Sequence, residues 1–195
     1  RASDVQKDSD LVEEKIDGAN LGIFIDTDGN IKVQNRSHFV DAKYHPKFKL
    51  LQKWVLQHQA DIEKILSDKK WIMYGEWLYM KHSINYKFLP DYFMLYDIYD
   101  RNSDTFFSRK KVEELIEDTS IKIVPILFEG NTTLDQLKKI ISTKSKYYDG
   151  PIEGIYVRAF EGDIVKYRGK IVRSNFICGD VHWTKNTYTV NELSK

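Results

Sequence analysis

A single cysteine, Cys178, stands among the 195 residues, so neither a disulfide framework nor a cysteine zinc site is available. A reducing, intracellular compartment, cytoplasmic or nuclear, is the expectation. Charge of one sign is also missing: 30 Lys and Arg against 29 Asp and Glu leave a net charge of +1. No overall basic field marks the chain as a nucleic-acid coat protein, so any polyanion must be held by local clusters. Lys81, Lys87, Lys166, Arg168, Lys170 and Arg173 are the cations available for such clusters, although a lone surface cation is ordinarily just solvated. No apolar run approaches the ~20 residues of a membrane helix, and the opening RASDVQKDSD lacks a signal-peptide core. No membrane association is expected. The start at Arg1 without a methionine points to a missing upstream piece.

Familiar ligand motifs are lacking as well. There is no GxxxxGK[ST] loop, which excludes nucleotide binding through a P-loop. The turn at residues 26–30, DTDGN, imitates the start of a calcium loop, but Ile31 stands where glycine is needed and Ser37 where the bidentate glutamate is needed. The histidines His38, His45, His58, His82 and His182 are scattered over unrelated segments and form no metal set, so surface or core roles are expected for each.

What is present is a globular composition, 42% hydrophobic and 30% charged, over a length that suits one domain with one sizeable core. Alternating or aromatic-rich segments predict strands at residues 11–17, 21–25, 31–35, 71–79, 92–99, 121–128, 152–160 and 164–173. The strands at 21–25 and 31–35 form a hairpin, as do the last two about Glu161-Gly162-Asp163. Apolar spacing predicts a helix over 48–66, a second capped by Ser108 and running through Glu117, and a third over 133–142. A polar, basic connection fills 81–91. The reading is a single α+β domain over 1–195, antiparallel sheets carrying peripheral helices.

The most informative stretch is VEEKIDGANLGIFID, residues 12–26. In an extended strand alternate side chains share a face, so Lys15 and Asp17 point the same way, with Gly18 and Asn20 at the following turn. An amine, a carboxylate and an amide then meet in one small space. An isolated KxDG is ordinarily a surface lysine beside a turn.

Six segments in order nevertheless resemble the motifs of the covalent nucleotidyltransferase superfamily, which holds ATP-dependent ligases and capping enzymes, and most of all the RNA ligase 2 type. They are EKIDGAN, NRSHF, YGEW, YFMLYDIYD, IEGIYVR and KYRGKIVRSNF, and they run from Glu14 to Phe176. The resemblance implies a nucleotidyltransferase domain with an ATP-grasp-like ligase core. It implies that Lys15 attacks the α-phosphate of ATP and retains AMP. Glu14, Asp17, Gly18, Asn20, Arg36, Glu76, Tyr96, Glu153 and Lys170 are then the nucleotide-binding residues.

Within that scheme Glu76 accepts from a ribose hydroxyl, Tyr96 stacks on the purine, and Lys170 holds the α-phosphate. Glu153 carries Mg2+, a hard ion held by oxygen ligands and phosphate. Without the resemblance, Asp17 is a turn carboxylate bonding backbone N–H groups, Tyr96 a core tyrosine, Glu76 the cover of a strand edge and Arg36 an exposed residue after a hairpin. An amine of ordinary pKa about 10.4 is a poor nucleophile, so positive charge from residues 166–173 is expected beside Lys15. The last motif departs from lysine-x-lysine, since Val172 follows Lys170 by two; Arg168 and Arg173 are the alternative second cations.

The implied activity is ATP-dependent RNA ligation through lysyl-AMP, with RNA ends or nicks as partners and a monomeric enzyme. A capping-type guanylyltransferase, a DNA ligase, and a non-catalytic nucleotide- or RNA-binding module are the alternatives. Little chain follows the last motif, so a C-terminal accessory domain is expected to be missing. The near-neutral charge leads to the expectation of weak, salt-sensitive binding to free RNA.

Overall fold

The computed structural model describes residues 9–36, 38–40, 46–173 and 189–195. Cys178, His45, His182, Ser37 and residues 174–176 of the last motif lie outside them. Two sheets organise the chain. The first has the strand order β10-β9-β1-β8, built from β1 (Asp10–Lys15), β8 (Ile126–Gly130), β9 (Gly154–Glu161) and β10 (Ile164–Val172). The second runs β3-β2-β4-β5-β6, from β2 (Ala19–Ile25), β3 (Ile31–Gln34), β4 (Trp71–Trp77), β5 (Phe93–Asp100) and β6 (Thr105–Phe106), with β7 (Lys122–Ile123) also on β5.

The apolar halves of these strands explain the layers. Leu21 and Ile23 of β2, Met73 and Trp77 of β4, and Leu95 and Ile98 of β5 share one buried face. The helices α1 (Leu51–Gln57), α2 (Gln59–Ile65) and α3 (Arg109–Ile116) close it with Trp54, Ile62, Ile65 and Val112. On the first sheet Val12 and Ile155 are covered by Leu137 and Ile140 of α4 (Leu134–Ile141). Ser108 caps α3 as its sequence position predicts, and Thr133 caps α4 in a capping box with Gln136. The opposite faces of the two sheets look toward each other and carry the polar residues.

Three expectations need correction. The predicted helix over 48–66 is a short 3-10 turn (Pro46–Phe48) followed by two helices that break at His58. The ring of His58 is held there against Trp54, 4.4 Å between centroids, and its Nδ1 lies 2.8 Å from Ser120 Oγ. The strand predicted over 121–128 is divided at Pro125, which has no N–H to continue a ladder. Its first half, β7, joins β5 in the structure's parallel pairing among described strands, and its second half, β8, joins β1 in the other sheet. The sheets are therefore not wholly antiparallel.

The polar connection 81–91 is better anchored than its composition implies: Ile84, Tyr86 and Leu89 are buried. The C-terminal residues hold it in place. Asn191, 1% exposed, accepts from the Tyr86 backbone N–H at 2.8 Å and donates to the Leu78 carbonyl at 2.8 Å. Asn191→Ala leaves a buried donor and a buried acceptor unpaired, and is expected to lower unfolding free energy by about 2–4 kcal/mol in urea titration. A loss below that of an exposed control such as Asn102→Ala rejects this anchor.

Candidate active site

Glycines set the cleft's dimensions at two of the motif positions. A Cβ on Gly18 would lie 2.8 Å from the Trp77 carbonyl oxygen, so only glycine lets the β1–β2 turn approach the end of β4. A Cβ on Gly154 would lie 2.3 Å from the Ile171 carbonyl oxygen, so Glu153 enters β9 directly against β10.

At the end of β1, Lys15 extends into a cavity of about 380 Å³ lined by Asp17, Gly18, Asn20, Arg36, Glu76, His82 and Glu153 among others. Its Nζ donates to Glu153 Oε1 at 2.6 Å. Burial disfavours the ammonium, but the hydrogen bond and charge of Glu153, followed by Tyr156 and Glu76, favour it more, and the amine titrates above ordinary lysine. The expectation that cations beside Lys15 lower its pKa is thus reversed here: the immediate neighbour is a carboxylate. Burial raises the Glu153 pKa despite that partner. Glu76, paired across the sheet with Asn20, is driven up to about 8 by burial, against the charge of Lys15.

Oε2 of Glu76 and Oε2 of Glu153 are buried with no hydrogen-bond partner among the described residues. Such orphaned acceptors want a donor or a cation. Among the described residues no group of three or more acidic, His or Cys side chains is arranged to hold a metal unaided. One carboxylate completed by phosphate oxygens is, however, how magnesium is ordinarily held, and the free oxygen of Glu153 fits that role.

A second cavity of about 350 Å³ shares Asn20 and Arg36 with the first and is lined by Tyr96, Asp97, Val124, Tyr156, Arg158, Arg168 and Lys170. A β-bulge builds its wall. Tyr74 pairs with Asp97 and Gly75 with Leu95, which leaves Tyr96 as the extra residue of β5. The bulge turns the neighbours Tyr96 and Asp97 to the same side, while Leu95 and Ile98 both stay in the core. The Tyr96 hydroxyl accepts from Asn20 Nδ2, and its ring lies 6.3 Å from that of Tyr156 at 27°. Behind the rings Arg158 bonds Asp97, Glu13 and, at 3.0 Å, the Tyr96 carbonyl.

Most of the expected residues converge on these cavities, and two are placed otherwise. The side chain of Glu14 points to the other face of β1, where Ser145 Oγ donates to it at 2.6 Å and burial raises its pKa to about 7; it is not in the cleft. Asp17 lines the cleft, but its Oδ2 accepts from the backbone N–H groups of Ser83 and Ile84 at 2.7 and 2.8 Å, the turn-carboxylate alternative. Of the two candidates for second cation, Arg168 shares the cavity with Lys170, whereas Arg173 Nε donates to the Ile152 carbonyl. Glu13, His82, Tyr156 and Arg158 were not singled out by the motifs. Glu13 was within reach, because it precedes Lys15 by two on the same strand face.

A carboxylate-bound lysine beside a pair of tyrosine rings thus sits in a fold whose relatives are recognisable. The chain belongs to the RNA ligase family, whose profile matches residues 10–171. No curated protein matches it by sequence. Its fold is similar to that of Naegleria gruberi RNA ligase in several solved forms. A lysine-to-alanine mutant with ATP and Mn matches with TM-score 0.62 and 21% identity, over 85% of this chain and 50% of that one. The ligase with PPi matches with TM-score 0.60 and 22% identity, over 85% and 49%. A lysine-to-methionine mutant with AMP and Mn matches with TM-score 0.59 and 18% identity, over 85% and 49%. The chain spans about half the length of those structures.

The raised pKa of Glu76 has a sign that can be tested. A carboxyl lifted from 4.5 to about 8 on folding contributes stability that is complete below 4.5 and is lost as pH rises through 8. Glu76→Gln removes that loss. The variant and the parent are expected to differ least near pH 5 and to diverge up to pH 9, the variant being more stable by about 1–3 kcal/mol. Parallel stability profiles from denaturant titration across that range would contradict the assignment.

Proposed function

We propose that the chain is the nucleotidyltransferase core, ATP-grasp-like, of an ATP-dependent RNA ligase of the RNA ligase 2 type. The observation that carries this reading is Lys15 Nζ held 2.6 Å from Glu153 in an acidic cavity that shares Asn20 and Arg36 with a second cavity walled by tyrosines. The purine stacks against the Tyr96 and Tyr156 pair, and the ribose meets Glu76, whose unpaired oxygen accepts from a hydroxyl. Arg36 stands where the two cavities join and reaches the ribose or the RNA terminus.

Lys15 releases its proton to solvent as phosphate and metal replace its bond to Glu153, and the freed amine attacks the α-phosphorus. The N–P bond forms, the α–β phosphoanhydride breaks, and pyrophosphate carries the electron pair away. Lys170 and Arg168 face the phosphate and offset the charge that builds on it. Mg2+, held by Glu153 and phosphate oxygens, would screen phosphate charge. An RNA 5′-phosphate then takes AMP from Lys15, and a 3′-hydroxyl displaces AMP to seal the strand. Arg168 answers the objection raised by the missing second lysine, because it supplies a cation on the same face as Lys170. The compartment is intracellular and the enzyme monomeric in this proposal.

Incubation with labelled ATP and Mg2+ is expected to give a covalent adenylate of the parent and none of Lys15→Ala or Lys15→Arg. Lys15→Arg, which keeps a donor for Glu153, should keep its unfolding free energy to within about 1 kcal/mol of the parent. An adduct that survives either change, or one that forms only with GTP, refutes the proposal. Tyr156→Leu keeps the packing volume but removes one aromatic wall, and should weaken ATP binding by about 1 kcal/mol, some fivefold, in calorimetry. Unchanged affinity would assign Tyr156 to packing alone.

A further inference from the structure

The face of the second sheet that carries Asn20, Glu76 and Tyr96 continues away from the nucleotide cavities, and there it is aromatic. Residues two and four positions along β2 from Asn20 are Gly22 and Phe24; Tyr74 lies two before Glu76 on β4; Tyr99 and Phe106 oppose each other on β5 and β6. All four rings are half-exposed. The Tyr74 ring lies against Gly22, so close that a Cβ there would be 2.9 Å from Cε1. Tyr74 and Phe106 are 6.5 Å apart between centroids, and Tyr99 and Phe106 are 5.0 Å apart. Among the described residues the helices α1, α2 and α3 lie on the other face, and the exposed ring of Phe39 lies 6.1 Å from that of Phe24.

Two guanidinium groups lie on the rings. Arg101 Cζ is 5.6 Å from the centroid of Phe24 and Arg168 Cζ is 4.1 Å from that of Phe106. Arg101 is fixed by the carbonyls of Lys69 and Lys70 and has no carboxylate partner among the described residues. The nearby acids are engaged in their own turns: Asp26 accepts from the N–H groups of Asp28 and Asn30, Asp100 from Asn102 and Ser103, and Asp104 from the Tyr99 hydroxyl. Asp26 also lies 3.9 Å from Lys32. Arg168 joins this face to the nucleotide site, because it also lines the Tyr96 cavity and lies 3.4 Å from Asp97.

We infer that this face is a stacking platform for single-stranded RNA, which delivers unpaired nucleotides to the end-joining site. The inference rests on the ligase reading and specifies its substrate as open ends in preference to nicks in a duplex. Flat rings interleaved with guanidinium groups bind bases whose faces are free, whereas bases within a duplex are already stacked on each other. A chain of net charge +1 has little phosphate attraction to offer, and ring stacking supplies affinity that does not depend on it.

Fluorescence anisotropy with a labelled oligo(A) RNA of about 12 nucleotides tests this, using Phe24→Leu, Tyr74→Leu and the two combined, which keep apolar volume but remove the rings. The double variant is expected to bind about 10-fold more weakly, with adenylation by ATP unchanged. Phe88→Leu, at an exposed ring elsewhere, should bind like the parent. Parental affinity in the double variant, or a nicked duplex bound as tightly as the single strand, overturns the platform. So does concentration-dependent self-association that the double variant abolishes without any effect on RNA, because the face then serves a protein partner. Failure of the parent to form an adenylate would instead strike the ligase reading, and it is scored in a separate assay from RNA binding.

Discussion

Arg158 is the pivot of the structure. From β9 of one sheet it reaches Asp97 on β5 of the other, and its Nε donates to Glu13 on β1 at 2.6 Å. The second oxygen of Glu13 accepts from Arg109 at the start of α3, also at 2.6 Å. All four side chains are buried. Removing such charges from water costs several kcal/mol per ion, and only near-complete hydrogen bonding offsets it, so the network has little freedom to shift. Two sheets and a helix thereby meet at one point. The separation of the sheets, and with it the width of the slot between Tyr96 and Tyr156, follows from that point. The bond from Arg158 to the Tyr96 carbonyl extends the same control to the bulge itself.

A few residues away the opposite rule holds. Glu76 and Glu153 each keep one buried oxygen without a partner, and burial raises the pKa of both. A protein selected for stability alone would have satisfied those oxygens or replaced them with apolar groups. Their retention next to a rigid, fully bonded network is the pattern of a site that is held in shape while waiting for donors from outside. Lys15 shares this logic. Its pairing with Glu153 satisfies one oxygen of that carboxylate and holds the amine in its charged form.

The parts of this arrangement that were legible in the sequence are those encoded by local pattern. Local pattern placed Lys15 and Glu76 on strands, and the cap at Ser108 was written in a few adjacent residues. The unread parts depend on residues far apart in the chain. Nothing near Pro125 reveals that its two flanking strands belong to different sheets, and the 81–91 connection looks like polar loop because the Asn191 that anchors it is about a hundred residues away. The bulge at Tyr96 defeats alternation outright: a strict period would send Asp97 to the core, yet it faces Arg158. Glu14 failed for a simpler reason. Motif adjacency placed it beside Lys15, but on a strand, adjacency means opposite faces.

The same bulge divides one sheet face into two aromatic parts. Before it, Tyr96 of β5 lines the cavity; after it, Tyr99 of β5 and Phe106 of β6 present rings farther along. Arg168 stands at the boundary, with its charge toward Asp97 and its plane on Phe106. A cation in that position is well suited to a phosphate lying between a base bound in the slot and bases stacked on the outer rings. Lysine, a point charge without a plane, would serve the phosphate and lose the ring.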